Sequence, residues 1–306
     1  MMKGYSFRSV VCVIGLVVIS GYGAAVTAHQ AHISDVPQTI PDGYDVAREL
    51  NARFNDYHTV RCDGDKPAYF CSGIVIRGIS YEDCCFWNNR ERDDGYVGVS
   101  FSYLRRDMGV RALARDQGFI FRPADTWGKG NILPLSMLCS FAFDAFTGPQ
   151  RGSTGCGAHV SYPVDGVPCA EQGIDTVGAF AQHYASIKSP QGRFQHQCSF
   201  GVDWRSFHLS LLARQSGYLE PSRYNKYSEQ VIGRWPNDMP DRLPFEALFY
   251  IPDGLNPKDS LAHVRQMQRN YHTATGVVLP IVRFHANPDM PVFTYHPIDQ
   301  TASRSH

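Results

Sequence analysis

The sequence predicts an α+β fold, a single domain of predominantly antiparallel strands with helices inserted between them. Between residues 70 and 146, short runs rich in β-branched and aromatic residues are bounded by Gly, Pro or Asp, as is typical of strands. Segments with apolar residues at helical spacing precede and follow these runs. The number of cysteines also predicts that disulfides stabilise this domain.

The N-terminus has the composition of a secretory signal peptide. Lys3 and Arg8 precede an apolar run over residues 10–19, and small residues continue to Ala28. Because the run is shorter than a membrane span, cleavage near Ala28 is favoured over an uncleaved membrane anchor. We expect a secreted or periplasmic protein with no membrane segment after cleavage. The expected divisions are a signal peptide at 1–28, an arm or linker at 29–43, a single domain at 44–298 and a tail at 299–306.

Charge and cysteine content narrow the function classes. The 29 basic and 29 acidic residues balance and form no basic stripe, which gives no support to nucleic-acid binding. Eight cysteines remain after the signal peptide, and an even number in an exported chain favours disulfides. Many pairings are possible, and we predict only Cys62 with Cys71, which close a short loop. The spacing typical of zinc ligands is absent from the sequence, so no metal site is expected.

The first predicted elements are a helix and four strands. Residues 44–57 place Val46, Leu50 and Phe54 at helical spacing, which predicts a helix with one buried face. The predicted strands that follow are FCSGIVIRG at 70–78, GYVGVSFSYLRR at 95–106, GFIFRP at 118–123 and MLCSFAFDAF at 137–146. Disulfide-tied loops are expected over residues 148–173.

Helical patterns return in the second half of the chain. Helices are predicted at 174–187, with Asp175 as the N-cap, at 206–217 and at 223–235. A strand at 245–251 is followed by a helix at 259–276, which Gly276 would end, and by a closing strand at 277–285.

The second predicted strand has two different faces. Its apolar residues alternate with small and hydroxylated ones that include Ser100 and Ser102. A ligand could approach the sheet closely at these two serines. Their alternative use is as ordinary hydroxyls on the solvent face of a half-buried strand.

Arg77 ends the strand GIVIR and is followed by the flexible Gly78. In this position its guanidinium could bind a diphosphate through two parallel hydrogen bonds. The alternative is a strand-end arginine that meets solvent or forms a salt bridge.

Glu246 opens the late strand, in a chain that has seven Glu against 22 Asp. Strand alternation would place its side chain with those of Leu248 and Tyr250, away from Phe245, Ala247 and Phe249. The carboxylate then lies either near solvent at the strand end or in a functional cleft.

The ordered blocks LNARFND, FCSGIVIRG, VSFSYLRRD, GCG, FEALFYIPDG and TGVVLPIVR resemble the halovibrin family of secreted bacterial proteins across nearly the whole mature chain. The resemblance implies NAD glycohydrolase activity, and ADP-ribosyltransferase activity is also ascribed to that family. NAD would be the substrate, and no cofactor is expected. The alternatives are a mono-ADP-ribosyltransferase toxin that modifies a target protein and a non-catalytic secreted binding module.

The order of an Arg, a Ser-x-Ser strand and a late Glu is also similar to that of ADP-ribosyltransferases, which implies a fold of that type. By this similarity Arg77 would hold the NAD diphosphate, Ser100 and Ser102 would brace the pocket, and Glu246 would be catalytic. Nicotinamide would need an aromatic contact, for which the candidates are Trp87, Phe101 and Tyr103. The pattern departs from the transferases in three ways: Phe101 stands in the place of a Thr, a long insertion precedes Glu246, and Pro244 stands where arginine-modifying transferases often carry Gln or Glu. The last departure favours water as the acceptor.

Overall fold

A mainly antiparallel β-sheet forms the centre of the computed structural model. The structure describes residues 42–79, 98–108, 113, 115–124, 133–134, 136–145, 155–156, 168–187, 196–216, 227–233, 242–254, 257–285 and 292–300. All of them lie in one compact unit, Ile40–His306.

Eight of the described strands form this sheet, in the order β10-β9-β8-β5-β3-β4-β7-β6. Every neighbouring pair is antiparallel except β8 and β9, which run parallel. A separate two-stranded hairpin is formed by β1, Arg61–Cys62, and β2, Lys66–Pro67. The strands of the sheet are β3 Ile74–Gly78, β4 Gly98–Leu104, β5 Gln117–Phe121, β6 Met137–Phe141, β7 Glu229–Gly233, β8 Phe245–Tyr250, β9 Ile281–Phe284 and β10 Phe293–Tyr295.

Helices pack on both sides of the sheet. The described helices are α1 Gly43–Asn55, α2 Val177–Ser186, α3 Trp204–Gln215 and α4 Pro257–Thr275. Helix α1 buries Val46, Ala47 and Leu50 against one face of the sheet, which we call the α1 face. Helices α3 and α4 bury apolar side chains against the other, which we call the α3/α4 face. The prediction of an α+β fold with mostly antiparallel strands is confirmed, whereas the similarity to ADP-ribosyltransferases stays a prediction.

Helix α1 joins the start of the domain to its end. Asp42 caps it by accepting a hydrogen bond from the backbone N–H of Tyr44 at 3.0 Å. The side chain of Asn51 bonds the backbone of Phe293 on β10 in both directions, since its amide donates to the carbonyl and its carbonyl accepts from the N–H. This pairing fixes α1 on the α1 face at the β10 edge of the sheet.

The sequence predictions are wrong for one strand and for one helix N-cap. Residues 229–233 form strand β7 instead of part of a helix, because Val231 and Ile232 pack into different clusters on opposite faces of the sheet. A helix cannot bury consecutive side chains in this way, but a central strand does so at every step. The second error is the N-cap of α2. Thr176 holds that position, and its hydroxyl accepts from the N–H of Ala179 at 3.1 Å.

Three disulfides lie within the described residues. The predicted pair Cys62–Cys71 is confirmed. The other two are Cys139–Cys156, which ties a loop to strand β6, and Cys169–Cys198. Cys84 and Cys85 lie outside the described residues, as do the predicted signal peptide and most of the predicted arm. Within the described part of the chain, no helix combines the length and apolar character needed to cross a membrane.

The end of the domain is held by a buried carboxylate. Asp299, which the sequence assigns to the tail, accepts from the Tyr250 hydroxyl at 2.8 Å and from Arg283 at 2.7 Å. Burial by itself raises the pKa of Asp299, but these two partners outweigh it and lower the pKa below its ordinary value. Asp299 is therefore held against strands β8 and β9.

The corrected N-cap gives a stability prediction. Thr176→Ala removes the hydroxyl that satisfies an N–H at the start of α2, so the free energy of unfolding should fall by about 1 kcal/mol. Asp175→Ala, one residue earlier and exposed, is the matched control and should change it by less than about 0.5 kcal/mol. Urea unfolding of both variants measures the difference, and a larger loss for Asp175→Ala would reverse the assignment of the cap.

Candidate functional site

Arg77 and Phe101 come together on the α3/α4 face of the sheet. Arg77 on β3 pairs with Phe119 on the neighbouring strand β5. Its guanidinium carbon lies 5.8 Å from the ring centroid of Phe101 on β4. Phe101 is buried and packs edge to face on Phe121, with ring centroids 4.8 Å apart. Arg77 is only half-buried. The pair thus combines a cation near solvent with an aromatic ring beneath it, a geometry in which cation–π attraction orients the guanidinium.

Ser100 and Ser102 point away from this pair. Ser102 stands opposite Ile76, whose side chain belongs to the cluster under α1. Both serines therefore lie on the α1 face, as strand alternation requires. Ser100 is exposed and Ser102 is buried. The small, hydroxylated face expected from the sequence exists, but Arg77 lies on the other side of the sheet.

A β-bulge sets the direction of Glu246. Phe121 pairs with Phe245 and Ile120 with Ala247, so Glu246 is the extra residue on β8. After the bulge, Leu248 and Tyr250 pack with Phe245 on the α3/α4 face. The strict alternation predicted for this strand is therefore wrong at its first residues. Glu246 turns to the α1 face instead of joining Leu248 and Tyr250.

Glu246 forms a buried ion pair with Arg53 in the last turn of α1. The side chains of Glu246 and Arg53 are 7% and 12% exposed. Each retains one buried polar atom without a hydrogen-bond partner among the described residues, Glu246 Oε1 and Arg53 Nε. Burial raises the pKa of Glu246 above its ordinary value, although Arg53 acts in the opposite direction. The carboxylate is thus held in a low-dielectric site where its charged form is costly.

The sequence-predicted site residues do not form one cleft. Arg77 and Phe101 share the α3/α4 face, whereas Glu246 lies on the α1 face with Ser100 and Ser102. Strands β5 and β3 separate β8 from β4, so Glu246 is about 14 Å from the serine strand. Trp87 lies outside the described residues. The catalytic role of Glu246 stays a prediction, but a molecule held by Arg77 could not also reach this carboxylate.

Gln230 is a polar residue of the α3/α4 face that sequence reasoning missed. It pairs directly with Phe101 on β4. Ile76 on β3 pairs with Ser102, which places Arg77 opposite Phe101, so Arg77, Phe101 and Gln230 lie in one row across three neighbouring strands. The sequence predicts a helix for its segment, and a helix would not place Gln230 on the same face of the sheet as Arg77 and Phe101. The sequence does contain a period of two that is typical of a strand: Ser228, Gln230 and Ile232 fall on one side, and Glu229 and Val231 fall on the other.

A second polar group, also missed, surrounds Glu229 on the α1 face. Ser100 pairs with Val231, so Ser102 stands opposite Glu229 two residues further along each strand. The Glu229 carboxylate accepts from the backbone N–H of Ala145 at 2.7 Å. Next to it, the Tyr227 hydroxyl donates to Asp144 at 2.8 Å, and burial followed by the charge of Asp144 raises the pKa of Tyr227.

Comparisons with known proteins add no family to this description. No protein-family model matches the chain, and a search of curated proteins found no match. Among the described residues, no group of three or more His, Cys, Asp or Glu side chains is arranged to hold a metal ion. The assignment of a function therefore depends on the residues themselves.

The Arg53–Glu246 pair gives a second prediction. Arg53→Met leaves a buried carboxylate without its cation, so the free energy of unfolding at pH 7 should fall by about 3 kcal/mol or more. The loss should be smaller at pH 5. The folded state binds a proton on Glu246 more tightly than the unfolded state does, and stability from that proton is lost as the pH rises.

Arg48→Met is the matched control, because Arg48 lies on the same helix with its side chain 79% exposed. Its effect should stay within about 0.5 kcal/mol at both pH values. Chemical unfolding at pH 5 and pH 7 makes the comparison. Equal losses for the two arginine variants would show that the buried pair adds no stability.

Proposed function

We propose that the protein is an NAD glycohydrolase that cleaves the nicotinamide–ribose bond of NAD and releases ADP-ribose and nicotinamide. The observation that carries the proposal is the half-buried guanidinium of Arg77 at a strand end, over the buried ring of Phe101. This arrangement offers a cation for a diphosphate, and the aromatic ring beneath it orients the guanidinium. The resemblance of the sequence to secreted NAD glycohydrolases supports the same conclusion.

The reaction makes modest demands on the protein. Nicotinamide leaves as a neutral molecule from a cationic ring, so no general acid is needed, in contrast to ordinary glycoside hydrolysis. The electron pair of the glycosidic bond goes to the pyridinium nitrogen, and the sugar becomes an oxocarbenium ion that water attacks. The attacking water loses one proton to solvent. The tasks left to the chain are to bind the diphosphate, to orient the ring and to stabilise positive charge on the sugar.

Arg77 and Phe101 suit two of these tasks. The planar guanidinium can donate two parallel hydrogen bonds to a diphosphate, and Phe101 beneath it limits the directions it can take. The quadrupole of an aromatic ring also favours positive charge near its face, and the sugar gains such charge as the pyridinium becomes neutral nicotinamide. Both effects act in a site where burial of Phe101 keeps the local dielectric low.

The first test is nicotinamide release from NAD by the purified mature chain. Arg77→Ala should raise KM for NAD by about 10- to 100-fold, the loss expected for a charge-assisted hydrogen bond. Arg122→Ala is the matched control, since Arg122 follows strand β5 and is 60% exposed in a pair with Glu49. It should leave KM unchanged.

An active chain whose KM is insensitive to Arg77→Ala would remove Arg77 from the site. Transfer of labelled ADP-ribose to protein, instead of release of free ADP-ribose, would favour the mono-ADP-ribosyltransferase alternative. NAD turnover by neither route would leave the non-catalytic binding module as the remaining reading.

Glu246→Gln decides the role of the late-strand carboxylate. If Glu246 stabilises the transition state, turnover should fall by about 100-fold or more while the variant stays folded. If the substrate is held by Arg77, the sheet separates it from Glu246 and kcat should stay close to that of the parent chain. On the present geometry we expect the second result, with a change in stability as the main effect. The kcat of the folded variant distinguishes the two.

A further inference from the structure

The Cys62–Cys71 disulfide is the most solvent-exposed of the three disulfides within the described residues. Cys71 is exposed and Cys62 is half-buried. In each of the other two pairs at least one cysteine is buried: Cys139 is 3% exposed, and Cys169 and Cys198 are each 1% exposed. A thiolate must reach a sulfur atom before it can exchange with it, so an exposed disulfide reacts with thiols before a buried one.

The two cysteines of this disulfide have different surroundings. Cys62 Sγ lies 3.2 Å from the carbonyl oxygen of Pro67 and 3.5 Å from that of Ala68, and both of these residues are buried. Cys71 belongs to the exposed surface. An incoming thiol therefore reaches Cys71 Sγ more easily, with Cys62 as the leaving group. Once Cys62 is a free thiol, the two carbonyls are in place to accept a hydrogen bond from its S–H.

The loop that this disulfide closes has little secondary structure of its own. Its hairpin has two residues in each strand, β1 and β2. In the turn between them, Gly64 and Asp65 both have positive φ, at 70° and 59°. A residue other than glycine adopts this left-handed region at a cost in free energy. The cross-link between Cys62 and Cys71 therefore restricts a loop that its own backbone preferences hold weakly.

The loop covers part of the apolar core on the α3/α4 face. Ala68 is 0% exposed, and Tyr69 packs edge to face on Phe207 of α3 with ring centroids 5.1 Å apart. Phe207 in turn packs on Tyr103 of β4, with ring centroids 5.3 Å apart. The Tyr103 hydroxyl donates at 3.0 Å to the carbonyl of Ser72, the residue directly after the disulfide. The packing around Phe207 and Tyr103 thus depends on the chain segment that the disulfide fixes.

We propose that Cys62–Cys71 is a site of thiol–disulfide exchange, at which a small thiol opens the loop over residues 62–71 while Cys139–Cys156 and Cys169–Cys198 stay closed. The inference does not depend on the proposed action on NAD. The thiolate attacks Cys71 Sγ, the bond between the two protein sulfurs breaks, and Cys62 leaves and takes up a proton. A second thiol attacks the mixed disulfide and releases Cys71. In total, two small thiols are oxidised to one disulfide, and the protein disulfide is reduced to two thiols.

The loop is thereby a redox-sensitive cover. It is closed in oxidising surroundings and opens where thiols are abundant. In the open state Ala68 and Tyr69 leave the core, so the ring of Phe207 meets solvent. The eight-stranded sheet does not include β1 or β2, and its strand pairing is kept.

The first measurement follows the reduction of each disulfide in the purified mature chain. The protein is incubated with glutathione, free thiols are alkylated at successive times, and mass spectrometry quantifies each cysteine-containing peptide. Cys62 and Cys71 should be reduced at least about tenfold faster than Cys169 and Cys198, because access to sulfur governs the rate. Equal rates for the two pairs would overturn the inference.

Limited proteolysis with trypsin measures the opening of the loop. Arg61, at the start of the loop, is exposed, and Arg269 on α4 is an exposed site that serves as the matched control. Reduction of Cys62–Cys71 alone should speed cleavage after Arg61 by about tenfold and leave cleavage after Arg269 unchanged. The double variant Cys62→Ser, Cys71→Ser should be cleaved after Arg61 at the same fast rate without any thiol.

Two results of the proteolysis would contradict the proposal. Unchanged cleavage after Arg61 in the reduced protein would show that the disulfide does not hold the loop. Faster cleavage after both Arg61 and Arg269 would show that reduction loosens the whole domain instead of one loop. Both results come from the parent chain, so they stand even if the double variant does not fold.

Discussion

A strand in a pleated sheet turns its successive side chains to opposite faces, and this constraint decides which residues of the protein can act together. Arg77, Phe101 and Gln230 share one face because the registers of β3, β4 and β7 align them in a row. Ser100, Ser102 and Glu229 share the other face for the same reason. The bulge at Glu246 is the exception, since one extra residue re-aims a carboxylate towards α1. Chemistry on either face is therefore isolated from chemistry on the opposite face by the thickness of the sheet.

Local patterns were sufficient to predict much of the fold. Helix α1, strand β3 and the α4 segment carry their periodicity within a few residues, and the structure places them as the sequence predicts. Strand β7 could not be recognised in the same way. Polar residues such as Ser228 and Gln230 fill one side of its pattern, and only its place between β4 and β6 makes it a buried strand. Tertiary context outweighed local propensity there.

The candidate site was predictable only in part. A sequence shows which residue types are present more readily than it shows the face of the sheet to which each side chain points. The sequence identified Arg77 and Phe101, and the structure brings these two together. The link from Arg77 to Glu246 required knowledge of the sheet order and of the bulge, which depend on distant strands. Gln230 carries no motif. Its amide is buried and has no hydrogen-bond partner among the described residues, a property that only a folded structure reveals.

The contact between Asn51 and Phe293 has a consequence for how the chain becomes native. These residues are 242 positions apart, so this contact of α1 can form only after strand β10 has been synthesised. Loop closure over such a separation makes folding slow and leaves the nascent chain open for longer. The two ends of the described domain are therefore linked late, and loss of the Asn51 side chain would loosen α1 at the β10 edge of the sheet.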